Sequence, residues 1–133
     1  MAIEGLTTVA SSFSPKDTMD RFAAAASVKG LTVFARIDHA AGAAAVGLPL
    51  RATEVLIFGN AKGGTPLMQA DQAIGIDLPL KALVYADAAG KVWLAYNDPA
   101  WLARRHRIGA EVEPAVKAMT AALAALAGAA TSP

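Results

Sequence analysis

The sequence predicts an α+β fold, a mainly antiparallel sheet with helices packed on one face. Three observations predict it. The run Val55-Leu56-Ile57-Phe58 is apolar with no polar alternation, the pattern of a strand covered on both faces and set near the middle of a sheet. Ser14-Pro15, Thr65-Pro66 and Asp98-Pro99 each couple a capping side chain to a proline suited to the first helical turn. Asp87-Ala88-Ala89-Gly90 is a short connection between two strand-like runs, so those runs pair antiparallel. A hairpin with few helices favours helices segregated to one side of the sheet. The reverse face then needs a cover, and a homodimer is one way to supply it.

The elements follow in order. Leu6 to Ser12, rich in Thr and Val, reads as the first strand. Ser14 caps the first helix, Pro15 opens it, and Asp17 sits at the positive end of its dipole. Met19, Phe22, Ala23 and Ala26 recur at helical spacing and form its buried face, and Lys29-Gly30 ends it. Leu31 to Asp38 is the second strand, with Val33, Ala35 and Ile37 on one face and Phe34 and Arg36 on the other. Residues 40–47 are small and predict a short helix with Asp38 or His39 at its start. The central strand follows. After Thr65-Pro66 a helix runs to Gly75, with Leu67 and Ile74 on one side. Leu80–Ala86 and Lys91–Tyr96 form the hairpin. Residues 99–106 are helical, and Gly109 breaks them. Glu113-Pro114 opens the last helix, where Val116, Met119, Leu123 and Leu126 share a stripe; residues 128–133 read as frayed.

With 133 residues the chain suits one domain able to bury roughly two-thirds of its unfolded surface. Hydrophobic residues make up 55 %, much of it alanine. Twelve basic and eleven acidic residues leave a net charge of +1, with no global pull toward nucleic acid, an anionic membrane or an acidic substrate. The absence of cysteine excludes disulfides, thiolate zinc sites, iron–sulfur clusters and a cysteine nucleophile. No signal-peptide pattern opens the sequence, and the alanine-rich stretch 115–130 is too short and weakly apolar to span a bilayer, so a cytoplasmic location is expected.

Four groups of residues could carry chemistry. The stretch Gly59-Asn60-Ala61-Lys62-Gly63-Gly64-Thr65 joins a strand to a helix start, an arrangement that cradles anions with backbone N–H groups. Thr65-Pro66 stands where a Walker loop needs Lys and then Ser or Thr, which excludes a nucleotide-hydrolysing P-loop and leaves a weak anion site using Lys62, or a turn needed only for geometry. His39 and His106 are candidate metal or haem ligands, or one is a general base; both also fit surface or capping roles. Asn97-Asp98-Pro99 is explained by capping. The basic run Arg104-Arg105-His106-Arg107 radiates around a helix and makes no single nucleic-acid patch. None of Ser11, Ser12, Ser14, Ser27 and Ser132 lies in a Gly-x-Ser-x-Gly context, so no nucleophile elbow is present.

Together, Phe34-Ala-Arg-Ile-Asp-His39, Thr53-Glu-Val-Leu-Ile-Phe-Gly-Asn60, Gly64-Thr-Pro-Leu-Met68, Gly75-Ile-Asp-Leu-Pro-Leu-Lys81 and Val92-Trp-Leu-Ala-Tyr-Asn-Asp-Pro99 resemble the DUF302 family over residues 6–108, with the alanine-rich helix 109–128 at its edge. The resemblance implies a TT1751-like fold, β-α-β(4)-α, in the wider TATA-binding-protein-like group. It also implies dimers, and it transfers no reaction. Nor does the fold group import DNA binding. The family motif falls on Asp38, His39, Phe58, Gly59, Asn60, Thr65, Pro66, Leu78 and Pro79.

These readings converge on one expectation, a dimeric domain that binds a small polar or anionic ligand. The candidate ligand-binding residues are Asp38, His39, Asn60, Lys62, Thr65 and Asn97. The alternatives are an enzyme with His39 as general acid or base, supported by Asp38 or Asp98; haem or metal binding through His39 or His106; and an interaction module with no ligand.

Overall fold

A computed structural model describes residues 2–133 of the chain. Five strands form one antiparallel sheet in the order β1-β5-β4-β3-β2: β1 Leu6–Ser11, β2 Thr32–Asp38, β3 Thr53–Gly59, β4 Leu80–Ala86 and β5 Val92–Asn97. The helices are α1 Pro15–Val28, α2 His39–Ala45, α3 Ala61–Ala70, α4 Pro99–Arg105 and α5 Glu113–Thr131, with short 3-10 turns at Gln72–Asp77 and Ala110–Val112. This is the expected α+β architecture in the order β-α-β(4)-α, with small helices inserted.

α1 and α5 pack on one face of the sheet. Met19, Phe22 and Ala26 of α1 meet Leu123, Leu126, Ala127 and Ala130 of α5 over Leu56, Phe58, Val84 and Leu94. Phe22 and Phe58 stand edge to face, with ring centroids 5.1 Å apart. A second, smaller core gathers Leu67, Ile74, Leu102, Ala103, Ile108, Val112 and Val116 between α3, α4 and α5.

β3 is paired on both sides, but only alternate residues are covered. Leu56 and Phe58 are fully buried, while Val55 and Ile57 are half-buried on the face that carries neither α1 nor α5. The unbroken apolar run therefore marks a strand whose second face lacks a full cover within one chain. β2 carries a bulge: Val33 opposes Phe58 and Ala35 opposes Ile57, which leaves Phe34 as the extra residue. The bulge breaks the expected alternation, so Val33 does not share a face with Ala35 and Ile37. Arg36 reaches Asp20 of α1 and Glu54 of β3 on the helix side.

Several predicted boundaries move. α3 starts at Ala61, not at Thr65, because the Asn60 side chain accepts a hydrogen bond from the Gly63 N–H and caps it. Pro66 sits inside that helix, and helical structure resumes after Asp71 as a 3-10 turn. Asp98 occupies the cap position of α4 without capping it; its carboxylate accepts from the Thr7 hydroxyl. The expected fraying does not begin at residue 128. α5 runs to Thr131, Ala130 and Thr131 are buried, and the Thr131 carbonyl accepts from the Ser12 N–H.

Candidate functional site

The site candidate is an apolar cleft of about 490 Å³ where β2 begins, β3 ends, β4 begins and α3 faces α5. Its walls come from four places. Leu31 and Phe34 form one, Phe58 and Gly59 the floor, Leu78, Pro79 and Leu80 a third, and α5 closes it with Met119, Leu123 and Leu126. Asn60 is the single polar side chain on the lining.

Local chemistry builds this shape. Gly59 has φ +153°, open to glycine and strained for other residues, and it turns the chain from β3 into the Asn60 cap. Gly63 is needed for a different reason. A Cβ there would lie 3.0 Å from the Asn60 Oδ1, so a side chain would push the cap away. At Gly64 a Cβ would lie 3.7 Å from Leu78 Cδ1 and 3.9 Å from Met68 Cε, an ordinary contact made between two lining residues. The missing Cβ at residue 64 therefore adds room to the cleft. Met68 and Met119 also pack on the smaller core. Their flexible thioethers separate the two apolar regions and can adjust to what enters.

The predicted site residues do not converge here. Glu54 opposes Asp38 in the β2–β3 ladder and Gly59 opposes Thr32, so Asp38 and Gly59 lie roughly 17 Å apart along the strands, with His39 and Asn60 beyond those two ends. Asp38 caps α2 by accepting from the Ala41 N–H at 2.9 Å, and His39 is exposed. Lys62 and Thr65 are exposed on the first turns of α3 and lie outside the lining. Asn97 is exposed at the same end of the sheet as the cleft, but alternation from buried Tyr96 directs it to the opposite face. His106 sits elsewhere, with Nε2 at 2.5 Å from the Asp77 Oδ2. Arg105 Nη1 contacts both oxygens of that carboxylate, at 2.8 and 2.7 Å. Among the described residues no three histidine, aspartate or glutamate side chains cluster as metal ligands.

Sequence reading missed the apolar lining because its members come from five elements. One signal was available: Met119 and Leu123 sit on the same α5 stripe at helical spacing.

One antiparallel sheet with helices packed on one face, and an apolar cleft at the sheet end, define a small α+β domain. The chain belongs to the DUF302 family, a domain of unknown function, whose model matches residues 7–126. The fold is that of a solved structure, an uncharacterised conserved DUF302 protein from Bacillus stearothermophilus. It has a TM-score of 0.85 at 18 % identity and covers 96 % of this chain and 99 % of that one. The chain is also 53 % identical over 115 residues to proteins named fluoride-specific ion channel FluC 1, from Brucella suis biovar 1 (strain 1330) and Brucella abortus biovar 1 (strain 9-941). The match takes in 86 % of this chain but only 45 % and 43 % of those relatives, so the chain spans less than half their length. One helical stretch here, 110–131, is long and apolar enough to cross a membrane; in this fold it packs on α1 and the sheet.

Proposed function

We propose that this domain binds a small, mainly apolar molecule with one hydrogen-bond-accepting end in the cleft between α3 and α5. The observation that carries the reading is the lining itself, sixteen glycine or apolar residues and one amide. An apolar ligand gains from leaving water in such a cleft, while a polar one loses hydration without repayment. Asn60 Oδ1 is committed to the Gly63 N–H, so its Nδ2 hydrogens are the side-chain donors left for a ligand carbonyl or carboxylate. The polar or anionic site expected near Asp38-His39 and the Gly59–Thr65 loop shares Asn60 with this cleft, while Lys62 lies outside the lining.

The test is a thermal-shift and calorimetric series of straight-chain and aromatic carboxylic acids, with matched alcohols and short polar anions. A ligand at a hundred times its Kd adds about 2.7 kcal/mol to stability. Apolar acids that raise the melting temperature, and lose that effect in Gly64→Leu, support the reading. Stabilisation by short polar anions alone contradicts it.

Assembly with a second copy is a further part of the proposal. Val33, Phe34 and Ile37 on the edge strand β2, and Val46, Leu48 and Leu50 after α2, are exposed large apolar residues within one short span. An edge strand with such side chains invites pairing with its own two-fold copy. Light scattering should give a dimer mass that falls to a monomer in Ile37→Glu; a monomeric wild-type chain would contradict this. The relatives' name favours a second reading, a domain that works beside an ion channel. It predicts that adding this chain changes fluoride efflux from liposomes bearing such a channel, and unchanged efflux would refute it.

A further inference from the structure

We propose that Asp77 is a positioning residue for the cleft, holding the Leu78–Leu80 wall in place through Arg105 and His106. The inference rests on the cleft reading above and extends it to residues that line nothing themselves.

The wall has few backbone ties: the Leu78 N–H donates to the Gly75 carbonyl, and Leu80 pairs with Phe58 at the start of β4. Leu78, Pro79 and Leu80 are three consecutive lining residues between the 3-10 turn and β4. The turn before them anchors through Ile74, which is fully buried, while Ile76 is 74 % exposed. Leu78 meets Met68 and the smaller core only with its side chain. Asp77 adds a side-chain anchor at the wall's start, its carboxylate held by two side chains at the end of α4.

The end of α4 is built to do this. Leu102 and Ala103 bury its inner face. The Ile108 N–H returns to the Ala103 carbonyl and the Arg107 N–H to the Arg104 carbonyl, closing the helix end. Arg107 takes φ +56°, a conformation that disfavours side chains. Glycine is the usual residue at this position, so the strain is tolerated because the neighbours determine the turn. The turn leaves Arg105 and His106 beside Asp77. The Asp77 and His106 side chains are only 15 % and 11 % exposed, so water competes weakly for their contact. Arg105 is half-exposed and contributes less. The other charged group on the turn side, Asp71, is used within the turn, where it accepts from the Ala73 N–H.

The experiment measures the Kd of cis-parinaric acid, a fluorescent linear apolar acid, with the full chain well below its melting temperature. It uses wild type, Asp77→Asn, Arg105→Met, Arg105→Lys and Gly64→Leu. Asp77→Asn should weaken binding about three- to tenfold and speed amide exchange at Leu78 and Leu80 in the unliganded protein. Because one Arg105 nitrogen meets both carboxylate oxygens, an ammonium can replace it. Arg105→Lys should therefore recover most of the affinity that Arg105→Met loses. A merely structural ion pair would lower the melting temperature and leave the Kd and the exchange at the wall unchanged; that result overturns the proposal. If Asp77→Asn does not fold, the Arg105 pair decides, and equal affinities for Met and Lys overturn it. Failure of the cleft reading looks different: wild type does not bind the probe, or Gly64→Leu binds it as wild type does, and either result removes both.

Discussion

Two neighbouring glycines in α3 should respond to the same substitution in opposite ways. Alanine in a helix interior is favoured over glycine by about 0.8–1.0 kcal/mol. At Gly64 the new Cβ meets only Leu78 and Met68 side-chain ends at 3.7 and 3.9 Å, so little opposes that gain. Gly64→Ala should stabilise the domain by about 0.5–1 kcal/mol. At Gly63 the Cβ would sit 3.0 Å from the Asn60 Oδ1, which itself lies 2.6 Å from the Gly63 nitrogen. Losing that cap costs about 1 kcal/mol, which cancels the propensity gain or exceeds it. The two variants should differ by about 1 kcal/mol, or roughly 3–5 °C in melting temperature for a domain of this size. Urea denaturation followed by far-ultraviolet circular dichroism measures the difference. In an Asn60→Ala background the penalty at residue 63 should vanish, because the cap is already gone. Equal stabilisation by Gly63→Ala and Gly64→Ala in the wild-type background would refute the steric account. If Gly64→Ala stabilises as predicted, glycine at 64 is kept at a cost in stability, as expected where the space serves binding.

Three other outcomes follow from the geometry. Phe22→Ala removes a fully buried ring stacked edge to face on Phe58 and should cost about 3–5 kcal/mol in urea melts. Arg107→Gly relieves the left-handed backbone at φ +56° and should raise stability by about 0.5–1 kcal/mol in the same assay. Burial, with Asp98 nearby, raises the Tyr96 pKa above its ordinary value of 10.0, so the unfolded chain ionises first. The stability from keeping Tyr96 neutral is present below the unfolded pKa and is lost as pH rises above it. The melting temperature should fall from about pH 10 upward, and Tyr96→Phe should flatten that fall.

Much of the fold was legible because it is written locally. The Ser14-Pro15 start, the Asp87–Gly90 connection and the α5 stripe each depend on near neighbours in sequence, and the structure contains each of them. Local signals misled where two of them competed. Thr65-Pro66 looked like a helix start, but Asn60 caps first, and a proline six residues in is accommodated. The bulge at Phe34 depends on pairing with β3, which spacing within β2 cannot report. The candidate site was the least legible part. Asp38 and His39 lie at one end of the β2–β3 pair and Asn60 at the other, a separation set by strand direction. The Asp77–His106 contact joins residues 29 apart through two helical turns that no periodicity reveals.

The most direct test of the central claim is chemical-shift mapping of the labelled protein during titration with a straight-chain carboxylic acid. The cleft account predicts saturable shifts at Phe34, Gly59 to Gly64, Leu78, Leu80 and Met119 to Leu126, with little change from Asp38 to Leu50. Shifts centred on His39 and the α2 segment, or none at all, would contradict it.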